Sequence, residues 1–140
     1  MAPQGYFESS LVTQGSYALK AFALAGNANQ TLTRTVSPTL NLTDKTAIYF
    51  DIRSTRTGSN IKIGIHDTGG TTTEITPNIT SANTYQTVTL DISGVSNANK
   101  DAIDRIIITI VNADSDNTFY IDNMYAYSNK VSQRAYDPSL

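Results

Sequence analysis

The sequence has 140 residues, which is the length of one domain and is enough to bury a hydrophobic core. Its 10 basic and 12 acidic residues give a net charge of −2 without a basic cluster, which excludes a surface that follows the phosphates of a nucleic acid. Because cysteine is absent, disulfides, thiolate metal sites and cysteine nucleophiles are excluded too. The longest apolar run is shorter than the roughly 20 residues that cross a bilayer, so no membrane insertion is expected.

Threonine, serine, asparagine and β-branched residues are abundant, and helix signals are almost absent. These residue types favour pleated strands and the turns between them, so the sequence predicts an all-β protein. In chain order, the candidate strands are GYFES, YALKAFALA, QTLTRTV, TAIYFDIRS, NIKIGIHD, TTTEIT, TYQTVTLDIS, DRIIITIV and NTFYIDNMYAY. A helical turn is plausible only in NANKDAIDR.

Four of these segments alternate between apolar and polar residues, the pattern of a strand with one buried and one solvated face. In TAIYFDIRS, the inward residues are Ile48, Phe50 and Ile52, and the outward residues are Tyr49, Asp51 and Arg53. In NIKIGIHD, the inward residues are Ile61, Ile63 and Ile65, and the outward residues are Lys62, Gly64 and His66. The inward residues of the two later segments are Val88, Leu90 and Ile92, and then Ile106, Ile108 and Ile110.

Turn sequences separate the candidate strands. TGSN, DTGG and SGVSNANKDA carry the Gly, Asn and Asp residues that tight turns need. Short strands at intervals of roughly 8 to 12 residues predict two packed antiparallel sheets, a β-sandwich. We expect one sandwich domain at residues 1–128 and a C-terminal tail at 129–140 that contacts a protein partner. The interior is expected to bring together Ile48, Ile63, Val88 and Ile108.

The order of five segments resembles the galactose-binding-like jelly roll of many carbohydrate-binding modules. These segments are LNLTDKTAIYFDIRS, IKIGIHD, ITSANTYQTVTLDISG, AIDRIIITI and NTFYIDNMYAY. At the N-terminus, GYFESS and TQGSYALKA are similar to the first strand of that family, the loop after it and the next strand. The resemblance implies a two-sheet jelly roll and a non-catalytic role in binding a glycan. Its motifs are short, so they are specific for the fold rather than for a ligand.

Asp122 and Asn123 interrupt the last candidate strand, where a buried strand is normally apolar. The resemblance implies a structural calcium ion that joins the first strand to the last, with these ligands: Glu8, Asp122 and backbone carbonyls around Gln14, Gly15 and Ser16. Calcium takes about six to eight oxygen ligands, and these groups are of the right kind. The alternative is a β-bulge at which Asp122 and Asn123 hydrogen-bond exposed backbone.

A glycan-binding surface on this fold needs an aromatic ring against the apolar face of a sugar and polar side chains that bind hydroxyl groups. The chain has eight tyrosines and no tryptophan. We expect TAIYFDIRS and NIKIGIHD to share a sheet, and its outward face then holds the candidate binding residues Tyr49, Asp51, Arg53, Lys62 and His66. The alternative is that these are ordinary solvated residues.

The remaining tyrosines are not expected to act as ligand contacts, and His66 is not expected to act as a catalyst. Tyr85 is expected in the core or at the rim, whereas Tyr120, Tyr125 and Tyr127 are expected to pack in the sheets or to cover the tail. No catalytic residue is predicted, because His66 has no nucleophile motif beside it.

Two functions remain open from the sequence. The first is a non-catalytic carbohydrate-binding or adhesion module that targets a larger enzyme or particle to glycans. The second is a structural building block, such as a decoration or fibre component of a phage virion or an extracellular assembly. The segment MAPQGYFESS lacks the charged and apolar regions of a signal peptide. We therefore expect a piece of a larger extracellular protein or a component of a virion surface.

Overall fold

The computed structural model describes residues 4–8 and 18–128, and for residues 4 and 6–8 it describes the backbone alone. These residues form nine strands and one 3-10 turn (Asn97–Asn99): β1 (Gln4–Glu8), β2 (Ala18–Ala23), β3 (Thr31–Leu40), β4 (Ala47–Ser54), β5 (Ile61–Asp67), β6 (Thr72–Ile75), β7 (Gln86–Asp91), β8 (Ile103–Ile110) and β9 (Asn117–Tyr127). The predicted all-β class and the helical turn are confirmed. In this part of the chain, no helix has the length and apolarity to cross a membrane.

The strands form two antiparallel sheets. One sheet has five strands in the order β1-β2-β9-β4-β7, and the other has four in the order β3-β8-β5-β6. Neighbours within a sheet are mostly distant in sequence, since β9 lies between β2 and β4, and β8 lies between β3 and β5. The chain therefore crosses repeatedly from one sheet to the other, and the predicted two-sheet jelly-roll sandwich is confirmed.

The predicted alternation decides which face of each strand is buried. In β4, Ile48, Phe50 and Ile52 are buried, whereas the residues between them are partly exposed. The inward residues predicted for β5 and for the segment around β7 are also buried: Ile61, Ile63, Ile65, Val88, Leu90 and Ile92. Ile106 in β8 departs from the prediction because it is only half-buried. In β4, β5 and β7, alternate apolar residues thus point toward the opposite sheet, where water is excluded.

The interior consists of two adjoining apolar clusters. The first is built around the fully buried Phe50 and Phe119, and it contains Ile63, Val88 and Ile108 as predicted. Ile48 lies in the second cluster, with Leu42, Ile65, Leu90, Ile92 and Ile103. Ile75 and Met124 contact both clusters and join them into one interior. Burial of each such side chain contributes about 1.5–3 kcal/mol, so the two clusters hold the sheets together.

Candidate functional site

The five predicted binding residues do not share one face. Tyr49, Asp51 and Arg53 lie on β4 in the five-stranded sheet, whereas Lys62 and His66 lie on β5 in the four-stranded sheet. Because outward side chains of the two sheets point away from a common core, the two sets lie on opposite surfaces of the sandwich. The prediction that β4 and β5 share a sheet is wrong. After β4 the chain crosses to the other sheet, where β5 pairs with β6 and β8.

On the four-stranded sheet, the outward charged side chains are engaged with one another. Lys62 Nζ lies 3.3 Å from Glu74 Oε1, and His66 Nδ1 lies 2.7 Å from Asp104 Oδ1. The hydrogen bond with His66 lowers the pKa of Asp104. Arg105 Nη2 lies within 2.9 Å of both ring nitrogens of His66. The strands of this sheet contain no Phe, Tyr or Trp, so its outer face has no aromatic surface for a sugar.

On the five-stranded sheet, Tyr49, Tyr125 and Tyr127 form a cluster that we call the tyrosine platform. Tyr49 and Tyr125 are cross-strand partners, and their ring centroids are 5.4 Å apart. The ring centroid of Tyr127 lies 5.9 Å from that of Tyr49. Tyr125 is 50% exposed and Tyr127 is 40% exposed. The outer face of this sheet therefore presents partly exposed rings side by side, the kind of surface that stacks against a pyranose.

A β-bulge in β9 allows Tyr125 and Tyr127 to face outward. Asp51 is paired with Asp122 and Tyr49 is paired with Tyr125, so Phe50 lies opposite the two residues Asn123 and Met124. The φ angle of Asn123 is 53°, a left-handed conformation that asparagine adopts more readily than most residues. Its N–H donates a hydrogen bond to Asp122 Oδ1 at 2.7 Å. The bulge that was the alternative explanation of Asp122 and Asn123 is present.

This bulge decides between the two places predicted for the tyrosines. Tyr120 is buried, as predicted, but Tyr125 and Tyr127 are not packed inside the sheets. The other predicted place, against the tail at 129–140, lies outside the described residues. Strict alternation from the buried Phe119 would turn Tyr125 and Tyr127 inward, and the one extra residue in the bulge reverses this. The signal in the sequence is the change of apolar phase between Ile121 and Met124, where polar residues occupy two successive positions.

Polar side chains continue this face beyond the platform. Asp51 lies two residues after Tyr49 on β4, a spacing of about 7 Å along a strand. Its Oδ1 accepts a hydrogen bond from the Thr87 hydroxyl at 2.7 Å. Arg53, two residues further, donates from Nη1 to the carbonyl oxygen of Asn83. A hydrogen-bond acceptor and a donor therefore lie next to the aromatic surface, both oriented by neighbouring groups.

The far end of the same face carries one further ring, that of the buried Tyr120. Tyr120 on β9 is the cross-strand partner of Arg53. Lys20 on β2 places its Nζ 5.8 Å from the centroid of that ring. Tyr85 precedes β7 and is half-buried, which agrees with its predicted place at the rim. Asp51 therefore lies between the tyrosine platform and the ring of Tyr120 on this face.

The predicted calcium ligands are only partly within the described residues. Asp122 is 9% exposed and lies at the bulge. The backbone of Glu8 pairs with Ala18, one position before the pair formed by Leu19 and Ile121. Glu8 and Asp122 are therefore in the same row of residues across β1, β2 and β9. Gln14, Gly15 and Ser16 lie outside the described residues, and the described part contains no group of three or more His, Cys, Asp or Glu side chains suited to a metal.

No protein-family model matches this sequence, and no curated protein sequence matches it. Similarity is found among solved structures. An exo-beta-agarase structure superposes with a TM-score of 0.72 at 15% identity over 92% of this chain, and this chain spans 22% of the agarase chain.

Two structures of similar size to this chain are carbohydrate-binding modules. The family 11 module from Clostridium thermocellum, in complex with a beta-1,3-1,4-mixed-linked tetrasaccharide, has a TM-score of 0.64 and 16% identity, covering 90% of this chain and 82% of the module. A family 61 module in complex with beta-1,4-galactotriose has a TM-score of 0.56 and 17% identity, covering 91% and 82%. Likeness at these identities concerns the fold. The chain has the jelly-roll β-sandwich fold of carbohydrate-binding modules.

Proposed function

We propose that the protein is a non-catalytic glycan-binding module and that the tyrosine platform is its binding surface. The observation that carries this proposal is the clustering of Tyr49, Tyr125 and Tyr127 on one outer face, with two rings about half exposed. A cluster of aromatic rings exposed to water is typical of a binding surface, because covering the rings removes apolar area from water. A sugar ring is a suitable partner because one of its faces is apolar. The fold supports the proposal, since structural neighbours of similar length are carbohydrate-binding modules.

The ligand class that we propose follows from the structural neighbours and from the polar residues beside the platform. The neighbouring modules are bound to a beta-1,3-1,4-mixed-linked tetrasaccharide and to beta-1,4-galactotriose, and one neighbouring enzyme is an exo-beta-agarase. On this chain, Asp51 and Arg53 supply an acceptor and a donor for hydroxyl groups. We therefore infer that the ligand is a neutral polysaccharide, and mixed-linkage beta-glucan, beta-1,4-galactan and agarose are the first to test.

Substitution of a platform tyrosine should weaken glycan binding about tenfold. Tyr125→Ala removes an exposed ring whose stacking contributes roughly 1–2 kcal/mol, and 1.4 kcal/mol corresponds to a factor of ten. Affinity electrophoresis of the wild type, Tyr125→Ala and Tyr49→Ala in gels containing each polysaccharide measures the effect. His66→Ala is the matched control, because it changes a ring on the opposite surface.

Two results would count against this proposal. If His66→Ala lost retention while Tyr125→Ala kept it, the binding surface would be the four-stranded sheet. If the wild type were retained by no polysaccharide and migrated as a multimer or co-purified with a particle, the structural building-block function would be favoured. Targeting of a larger enzyme or particle, an extracellular or virion-surface location, and a partner for the tail at 129–140 remain parts of the proposal.

We also propose a structural calcium ion near Asp122. The support is the buried carboxylate at the bulge and the position of Glu8 in the same cross-strand row, since calcium prefers several oxygen ligands. Chelation with EDTA should then lower the melting temperature of the wild type, because a bound ion stabilises the native state by mass action. Asp122→Ala and Glu8→Ala should abolish this dependence. A melting curve that is identical with and without chelator would leave the bulge as the whole role of Asp122.

A further inference from the structure

Thr87 lies beside the tyrosine platform and contacts Asp51, the carboxylate that follows Tyr49 on the outer face of β4. We propose that Thr87 is a positioning residue that holds Asp51 as the hydroxyl acceptor of the glycan site. This inference rests on the proposed function and identifies the Asp51 carboxylate as the group that accepts a hydrogen bond from a sugar hydroxyl.

The geometry places the two residues as direct neighbours. Thr87 on β7 and Asp51 on β4 are cross-strand partners, and both are on the outer face. The Thr87 hydroxyl donates to Asp51 Oδ1 at 2.7 Å, a short distance typical of a hydroxyl bonded to a carboxylate. Among the described residues, no hydrogen bond is made to Asp51 Oδ2. One oxygen therefore anchors the side chain, and the other remains open to a ligand hydroxyl.

The hydrogen bond from Thr87 also sets the direction of the Asp51 side chain. On the side opposite Thr87, the cross-strand partner of Asp51 is Asp122 of β9. The bond from Thr87 holds the Asp51 carboxylate toward β7. Because threonine is branched at Cβ, its hydroxyl has few accessible rotamers and holds this position firmly.

A fixed carboxylate favours binding of a hydroxyl group. A hydrogen bond to an ionised acceptor is roughly twice as strong as one between neutral groups. Holding the side chain before the ligand arrives also removes part of the entropy cost of ordering it on binding. Without Thr87, the same carboxylate would have to be ordered by the ligand, and the affinity would fall even though every group that touches the sugar is still present.

The test compares substitutions at Thr87 and Asp51 in the full chain. Thr87→Val keeps the shape and removes the hydroxyl, so it should weaken retention by mixed-linkage beta-glucan, beta-1,4-galactan or agarose about five- to tenfold. Thr87→Ser restores the hydroxyl and should bind nearly as the wild type does. Thr33→Val is the matched control, because Thr33 is an exposed strand residue of the other sheet. Melting temperatures of all variants should stay close to that of the wild type, since Thr87 is exposed.

A double-mutant cycle separates positioning from a direct contact of Thr87 with the sugar. If Thr87 acts through Asp51, Thr87→Val should cause no further loss of affinity when Asp51 is already alanine. Equal binding by the wild type and Thr87→Val, failure of Thr87→Ser to restore binding, or additive losses would each overturn this inference and leave the platform proposal intact. Absence of binding by the wild type would instead overturn the proposed function, and this inference with it.

Discussion

Replacement of Lys100 by methionine should lower the free energy of unfolding by about 3 kcal/mol. Lys100 is 3% exposed, and its ammonium group donates to the carbonyl oxygens of Lys45 and Ile92 at 2.7 and 2.9 Å. Each hydrogen bond from a charged group contributes about 1.5–3 kcal/mol, and part of that gain offsets the cost of burying the charge. Methionine keeps the apolar stem but leaves the carbonyl of Lys45 without its donor.

Urea denaturation of Lys100→Met and Lys62→Met measures this difference. Lys62 is the matched control, because it is partly exposed and forms a surface pair with Glu74, which typically contributes less than about 1 kcal/mol. The loss is expected because Lys100 joins two segments that are distant in sequence, the one before β4 and the one directly after β7. Equal losses in the two variants would show that the buried ammonium is not a structural crosslink.

Substitution of Asp67 by alanine should destabilise the protein by a comparable amount, about 3 kcal/mol. Asp67 is 1% exposed, and its two carboxylate oxygens accept hydrogen bonds from the N–H groups of Gly69 and Ala102 at 2.8 and 3.0 Å. The alanine variant removes two hydrogen bonds to the buried carboxylate, each of which contributes about 1.5–3 kcal/mol, and part of that gain offsets the cost of burying the carboxylate. The bond to Ala102 also connects the turn after β5 with the segment that leads into β8.

Asp91→Ala is the appropriate comparison for Asp67→Ala. Asp91 accepts the same local bond, from the N–H of the residue two positions later, but it is exposed, and within residues 18–128 it makes no long-range hydrogen bond. We expect a loss of less than about 1 kcal/mol for Asp91→Ala, because water replaces the lost acceptor. If both variants unfolded at the same urea concentration, the long-range bond of Asp67 would contribute nothing measurable.

The tyrosine platform illustrates how a binding surface is assembled from residues far apart in sequence. Tyr49 and Tyr125 are on strands separated by four others along the chain, yet they are direct neighbours in the sheet. The same applies to Asp51 and Thr87, which are neighbours because β7 pairs with β4 at the edge of the sheet. In a sandwich of this topology, each strand contributes a few outward side chains, and the composition of the surface depends on which strands are neighbours in the sheet.

The sequence by itself determined the class of the protein and the buried face of its clearest strands. Alternation in β4 and β5 identified Ile48, Phe50, Ile61 and Ile63 as interior residues, because burial on one face of a strand leaves a local pattern with a period of two. It also indicated an irregularity at Asp122, which the bulge confirms. The calcium ion predicted from the same residue remains a prediction.

Only the tertiary structure decided which outward residues share a surface. Alternation shows that Tyr49 and Lys62 face the solvent, but it does not show in which sheet their strands lie, because strand pairing is set by contacts between distant segments. The orientation of Tyr125 likewise depends on how β9 fits against β4, since the extra residue at Asn123 is accommodated only when both ends of β9 bury their apolar side chains. Local patterns specify the buried face of a strand, whereas its neighbours are specified by closure of the whole sandwich.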